Sequence, residues 1–225
     1  VLAGIASDLL RYSKGPFLFV FPTDREAQNF LSDYTLWNSE AFYFPSWETL
    51  PYSSDIPSSY VSGSRINVLG HFLSSRKAVV AMSRKAFLSY LPDKDFLSSC
   101  FIRLKKGNPI ASVDIGAKLE QAGYLRVPRV SINGEFALRG EVLDIFMPGM
   151  EEAVRIVFGF NEIEEIKYFD PAGQQSTGRT DEIVVYPNRE IIWTDPLIES
   201  AFMKKLITEE QREELSSFRT IKGEE

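Results

Sequence analysis

The chain has 225 residues and a mass of 25.5 kDa, with 44% apolar and 13% aromatic residues and a formal net charge of −6. That length suits one large domain or two small ones, with enough apolar side chains for a core that needs no metal or disulfide. One cysteine, Cys100, and one histidine, His71, exclude a disulfide scaffold, a Cys/His zinc site and a CxxC redox centre. No apolar run approaches the roughly 20 residues that cross a bilayer, so the expectation is a reduced, cytoplasmic protein. Val1 and the ending TIKGEE read as those of a piece of a longer chain.

Over the first hundred residues helix and strand alternate. Leu2, Ile5, Ala6, Leu9, Leu10 and Tyr12 fall at helical spacing before Gly15-Pro16. FLFVF (17–21) is a continuous apolar run, the mark of a strand buried on both faces of a parallel sheet. Thr23-Asp24-Arg25-Glu26 forms a capping box, and Ala27, Phe30, Leu31 and Tyr34 give the next helix its apolar stripe. AFYF (41–44) reads as the second strand, residues 45–64 as a Pro- and Ser-rich loop, and RINVLGHFLSS (65–75) as a helix. AVVAMS (78–83) is the third strand, with Ser83 placed to cap RKAFLSYL. Strands separated by helices predict an α/β layer.

After Lys105-Lys106-Gly107 the pattern changes. A short helix, ASVDIGAKLEQAG, leads into YLRVPRV, GEFALRGEVLDIF, AVRIVF, EIEEIKYFD and DEIVVYP, separated by turn residues. This predicts a second, antiparallel α+β domain over 103–189. Asp195-Pro196 then opens LIESAFMKKL, and Thr208 to Gln211 makes another capping box. The predicted domains are 1–102, 103–189 and a helical tail, 190–225, that packs back on the first domain.

Charge is unevenly spread. Residues 103–139 carry seven basic and three acidic side chains, whereas 141–182 carry ten acidic and three basic. Such a dipolar segment steers a protein partner as well as it tracks a phosphate backbone. The net negative charge argues against a protein devoted to nucleic acid.

No catalytic constellation emerges. There is no GK[ST] and no GxGxxG, so no phosphate-cradling loop is expected, and the first helix offers only Gly4-Ile5-Ala6-Ser7. His71 has no nucleophile at motif spacing. Cys100 reads as a buried residue in a strand or just before one. The carboxylates of EVLDI (141–145) and EIEEI (162–166) read as solvated strand faces. No cofactor or metal is expected.

The strongest candidate surface is GEFALRGEVLDIF. As one strand it sets Phe136, Leu138 and Val142 on one face and Glu135, Arg139 and Glu141 on the other. Arg139 and Phe146 then fall on opposite faces, unless a bulge at Gly140 brings them together. An exposed Arg139 beside an exposed Phe146, flanked by Arg126 and Arg129, has the composition of an interface hot spot. The alternative is that Glu135 and Glu141 pair with Arg139 on a solvated face while Phe146 lies in the core.

The segments FPSWETLPYSSDIP, SRINVL, LKKG, AGYLRV, GEFALRGEVLDIFMPG, RIVFGFNEIEEIKYFDPAGQQS and VYPNREI resemble the N-terminal, UvrB-like part of the bacterial transcription-repair coupling factor family (Mfd) over roughly residues 1–200. The resemblance implies a UvrB-like first domain without a P-loop, an inserted UvrA-binding domain, and a non-catalytic adaptor that recruits nucleotide excision repair to stalled RNA polymerase. It implies UvrA as partner, met by Arg126, Arg129 and Arg139 with Phe146 adding apolar contact. RNA polymerase and double-stranded DNA would be bound by regions outside this chain, with no membrane partner. Two departures stand out: Ala137 occupies a position where UvrB often has a further arginine, and the region around ETLPYSSDIP has one tyrosine, Tyr52, where UvrB has a tyrosine-rich hairpin. The rivals are a UvrB-type nucleotide-dependent damage-loading domain, direct duplex binding through 103–139, and a structural role that masks the site.

Overall fold

A computed structural model describes residues 2–12, 16–36, 41–48, 58–73, 79–160, 162–190 and 192–220. It is a mixed α/β structure holding both parallel and antiparallel sheets.

The first layer is a three-stranded parallel sheet. Strands β1 (Phe17–Phe21) and β2 (Ala41–Phe44) flank β3 (Val79–Ser83), with Leu18 opposite Val80 and Phe42 opposite Val80. All of β3 is buried, as a central parallel strand requires. On one face lie α1 (Leu2–Tyr12) and α2 (Asp24–Thr35), where Ala3, Ala6, Ala27, Phe30 and Tyr34 close over Val79 and Ala81. Thr23 caps α2 through the reciprocal bonds its sequence predicts: its Oγ1 accepts from Glu26 N, while its own N–H donates to the Glu26 carboxylate.

The other face is covered by α3 (Ser59–Leu73), whose Ile66, Val68 and Leu69 pack with Phe44, Val80 and Met82. This helix begins before residue 65, inside the stretch expected to be loop. Ser58 supplies the start, its Oγ accepting from Val61 N at 3.3 Å. The small residues Ser62, Gly63 and Ser64 hid the helix because they lack an apolar stripe; Val61 and Gly63 are nonetheless buried. Residues 49–57, including Tyr52, and residues 13–15 at the expected end of α1 lie outside the described residues. Ser83 caps α4 (Arg84–Phe87), and Asp93 caps α5 (Lys94–Ser99).

The second layer is a six-stranded sheet in the order β10-β9-β8-β7-β6-β5, made of β5 (Leu125–Arg126), β6 (Glu135–Arg139), β7 (Val142–Phe146), β8 (Ala153–Phe158), β9 (Ile163–Phe169) and β10 (Ser176–Thr180). It is a meander except at β5, which runs parallel to β6. Strand β10 lies in a stretch to which the sequence reading assigns no element. Its sequence, STGRT, has no apolar alternation because it is an exposed edge. A separate two-stranded ladder joins β4 (Ile102–Lys105) to β11 (Glu182–Val185). Together with α6 (Ser112–Gln121) it buries one face of the large sheet: Ile115, Leu119, Leu104 and Val185 meet Phe136, Leu143, Ile145, Val154 and Ile156.

GEFALRGEVLDIF is not one bulged strand. Register pairs Arg139 with Val142, leaving a two-residue turn at Gly140-Glu141, and Gly140 has φ +58°. A glycine with positive φ at the first loop position is what a type II′ hairpin turn asks for. Beyond β11, α7 (Asp195–Met203) packs on α8 (Glu209–Thr220), with Arg212 bonded to Glu199 at 2.8 Å. Among the described residues no helix is long and apolar enough to cross a membrane.

Candidate functional site

The face of the large sheet turned away from α6 carries the candidate residues. Cross-strand partners share a face, so register assigns it directly. One row runs Asp144–Arg155–Lys167–Arg179 across β7, β8, β9 and β10. The neighbouring row runs Arg139–Val142–Val157–Glu165. The three basic residues of the acid-rich segment, spaced twelve apart, thus stand side by side.

Asp144 is the electrostatic hub. Only 1% of its side chain is exposed, yet it accepts from Arg155 Nε at 2.6 Å, Arg155 Nη2 at 2.8 Å and Arg139 Nη2 at 3.0 Å. A carboxylate this buried is tolerable because two guanidinium groups compensate it. Bonding to Asp144 in turn pushes the Arg155 guanidinium further up from its ordinary value. The expectation of a solvated face for Asp144 is therefore corrected: it is the buried base on which the arginines sit. Glu165, a second acid of the face, is bonded to Lys167 Nζ at 2.9 Å and to Arg179 Nε at 3.1 Å, and the lysine ammonium holds its carboxyl below the usual range.

Arg139 is half exposed and lies on this face. Phe146 shares the face, paired with Glu135 at the far end of the hairpin, but it is not exposed. At 8% exposure it packs with Val130, Ala137, Ala153 and Phe169 beneath the loop that follows β5. Glu135 fastens that loop, its carboxylate accepting from Ser131 N and Ile132 N at 2.7 and 3.0 Å. Phe146 is core, and the expectation that it is exposed is corrected.

Arg129 comes from the same loop. Its Nη2 donates to the carbonyls of Pro171 and Ala172, at 3.3 Å each, in the turn between β9 and β10. That turn also holds Gln174, whose Nε2 donates to Pro171 O at 2.8 Å and whose Oε1 accepts from Arg155 Nη2 at 3.1 Å. Arg129 and Arg139 are thereby joined through Pro171, Gln174, Arg155 and Asp144.

Arg126 is not part of this set. It pairs with Phe136 in register, hence on the α6 side, where it lies 4.0 Å from Glu120. Arg126 and Arg139 project from opposite faces, because the two-residue strand β5 pairs in parallel and sets Arg126 beside an inward residue. The expectation of one surface holding both is corrected. Sequence reading missed Arg155, Lys167 and Arg179; their constant spacing across successive hairpins was the available signal.

Among the described residues no group of three or more His, Cys, Asp or Glu is arranged to hold a metal ion.

A family model described as the UvrB interaction domain matches residues 102–191. The chain is also similar to transcription-repair-coupling factors from several bacteria. That of Borreliella burgdorferi is 29% identical over 227 residues, covering 99% of this chain and 20% of the relative. That of Rickettsia prowazekii is 33% identical over 156 residues, covering 69% and 14%. That of Escherichia coli K12 is 25% identical over 189 residues, covering 84% and 16%. The chain therefore spans between 14 and 20% of the length of these relatives. Residues 102–191 thus match a UvrB interaction domain, and the chain over nearly its whole length is similar to the N-terminal region of transcription-repair-coupling factors.

Proposed function

We propose that the Arg139-bearing sheet face binds UvrA, so that a transcription-repair coupling factor draws nucleotide excision repair to a stalled RNA polymerase. The observation that carries this reading is the row Asp144–Arg155–Lys167–Arg179 beside the half-exposed Arg139, within the UvrB interaction domain. The face holds Arg139, Arg155, Lys167, Arg179 and the peripheral Arg129 against Asp144, Glu165 and Glu135, an excess of positive charge that fits an acidic protein surface. Arg139 is the central anchor of the proposal, and Arg179 at the exposed edge acts on association rate and salt sensitivity. Arg126, on the other face, is left outside this contact or at its margin.

In this reading residues 103–189 form the UvrA-binding unit, inserted between a UvrB-like α/β domain (1–102) and a helical segment (190–225) that returns toward it. The protein acts in the bacterial cytoplasm as a non-catalytic adaptor, and polymerase and duplex DNA are met by regions outside this chain. The interleaving of Asp144 and Glu165 among the cations disfavours a phosphate track. Titration of the 225-residue chain against purified UvrA tests the assignment. Arg139→Ala is expected to weaken binding by about 2–4 kcal/mol if desolvated in the complex. Unchanged UvrA binding, or equally tight salt-sensitive binding to random duplex DNA, removes it.

A further inference from the structure

We infer that Asp144 is the positioning residue of this face: it holds the Arg139 guanidinium in the orientation that meets an acidic group of the partner. The inference rests on the reading of the face as the UvrA-binding surface.

Asp144 is anchored from behind. Arg155 grips both of its oxygens, through Nε to Oδ1 and Nη2 to Oδ2, in the two-point geometry that a planar guanidinium fork offers a carboxylate. Arg155 is itself fixed, with its guanidinium carbon 4.5 Å from the centre of the Phe169 ring and Nη2 on Gln174 Oε1. Gln174 adopts φ +58°, a conformation few side-chain-bearing residues take, and its bond to Pro171 O keeps it there. The carboxylate thus has little freedom.

Oδ2 of Asp144 then takes a single bond from Arg139 Nη2, the one side-chain hydrogen bond of Arg139 among the described residues. A guanidinium has five N–H donors in a fixed plane. One point of attachment at a buried, immobile oxygen sets the plane while about half the side chain stays in solvent. A long side chain held before binding loses less freedom when the partner arrives. Asp144 cannot touch the partner itself, being 1% exposed, so whatever it contributes to binding passes through the arginines above it. The opposite arrangement, in which Asp144 competes with the partner for Arg139, predicts the reverse sign.

The test is a cycle on the 225-residue chain with purified UvrA as probe: wild type, Asp144→Asn, Arg139→Ala and the double variant. Asn keeps the size of Asp and removes its charge. Asp144→Asn is expected to weaken binding about tenfold, Arg139→Ala at least as much, and the double variant no more than Arg139→Ala alone, because contacting groups couple. Unchanged or tighter binding by Asp144→Asn, or a loss that adds in full to that of Arg139→Ala, overturns the inference while the UvrA reading stands. Arg139→Ala binding like wild type overturns the reading of the face itself and the inference with it. Should Asp144→Asn fail to fold, nitrogen relaxation at Arg139 Nε in the unaltered chain decides. An order parameter near the rigid value of about 0.85 supports positioning, and one below about 0.6 overturns it.

Discussion

Arg65 and Glu190 stand 125 positions apart in sequence and form a buried ion pair that fastens α3 to the chain leaving β11. The Arg65 side chain is fully buried; it donates to Glu190 through Nε and Nη2, and Nη1 donates to Pro45 O at 2.9 Å. Its guanidinium carbon lies 4.1 Å from the centre of the Phe44 ring and 4.3 Å from that of Trp47. Burial pushes the Glu190 carboxyl up, and the arginine opposes that shift. Removing one partner strands the other charge in the interior. Glu190→Gln or Arg65→Met is therefore expected to cost about 3–5 kcal/mol, and the apolar double replacement Arg65→Met/Glu190→Leu less than the sum of the two. Urea unfolding measures each. Additive losses would mean that the pair is not the unit.

The opposite side of α3 makes a second contact. A Cβ built on Gly70 would stand 2.7 Å from the Tyr186 ring, and one on Gly63 would stand 3.2 Å from Pro148 Cβ. The two glycines are seven apart, two turns along one side of α3, where the helix meets the segments next to β7 and β11. Gly70→Ala must displace the ring, whose hydroxyl-bearing end lies over the helix. It is expected to destabilise by about 1–3 kcal/mol despite the better helix propensity of alanine. Combining it with Tyr186→Leu should recover part of the loss in thermal melts. A neutral or stabilising Gly70→Ala would show that the approach is loose.

How legible this was depends on whether a signal is local. The Thr23 capping box, the Ser83 cap and the apolar run of β3 are fixed by residues within a few positions of each other, and the sequence shows them. Strand β1 forms where its apolar run predicts, but as an edge strand it leaves Leu18 and Val20 exposed, so the expected burial of both its faces is corrected. Asp144 is the opposite case. Within EVLDI it looks like an outward polar residue, and only pairing of β7 with β8 reveals Arg155 beside it. Gly140 carried a local signal, Gly-x between two apolar segments, but one that a bulge and a hairpin turn share. Val130 decides the fate of Phe146 from sixteen positions away, through a loop whose course no periodicity encodes.

That difference makes Phe146 and Arg139 separable by experiment. Both lie on one sheet face, yet Phe146→Ala should open a cavity beside Val130, Ala153 and Phe169 and lower stability by about 3–5 kcal/mol. Below the unfolding transition, its affinity for UvrA should remain within about twofold of wild type. Arg139→Ala should show the converse: weakened binding and a midpoint little changed, since half its side chain is already in water. Folded Phe146→Ala that has lost UvrA binding would restore the phenylalanine as a contact residue.

Acid sensitivity should centre on Asp24. Burial raises the pKa of this carboxyl, but hydrogen bonds from Ser46, Tyr43 and Ser83 outweigh it, and the net shift is downward. Ser46 Oγ donates at 2.7 Å and Tyr43 Oη at 2.9 Å, holding the start of α2 to the end of β2. Because the folded carboxyl titrates below the unfolded value of about 3.9, the unfolded chain takes up the proton first as pH falls. The stability that Asp24 supplies is complete above about pH 5 and disappears as pH drops through the folded pKa. Asp24→Asn is expected to cost about 1–2 kcal/mol at pH 7 and to flatten the loss between pH 5 and 2, since the neutral amide has nothing to titrate. Urea midpoints at half-unit steps of pH measure both slopes; parallel curves for the two proteins would assign the acid transition to other carboxylates.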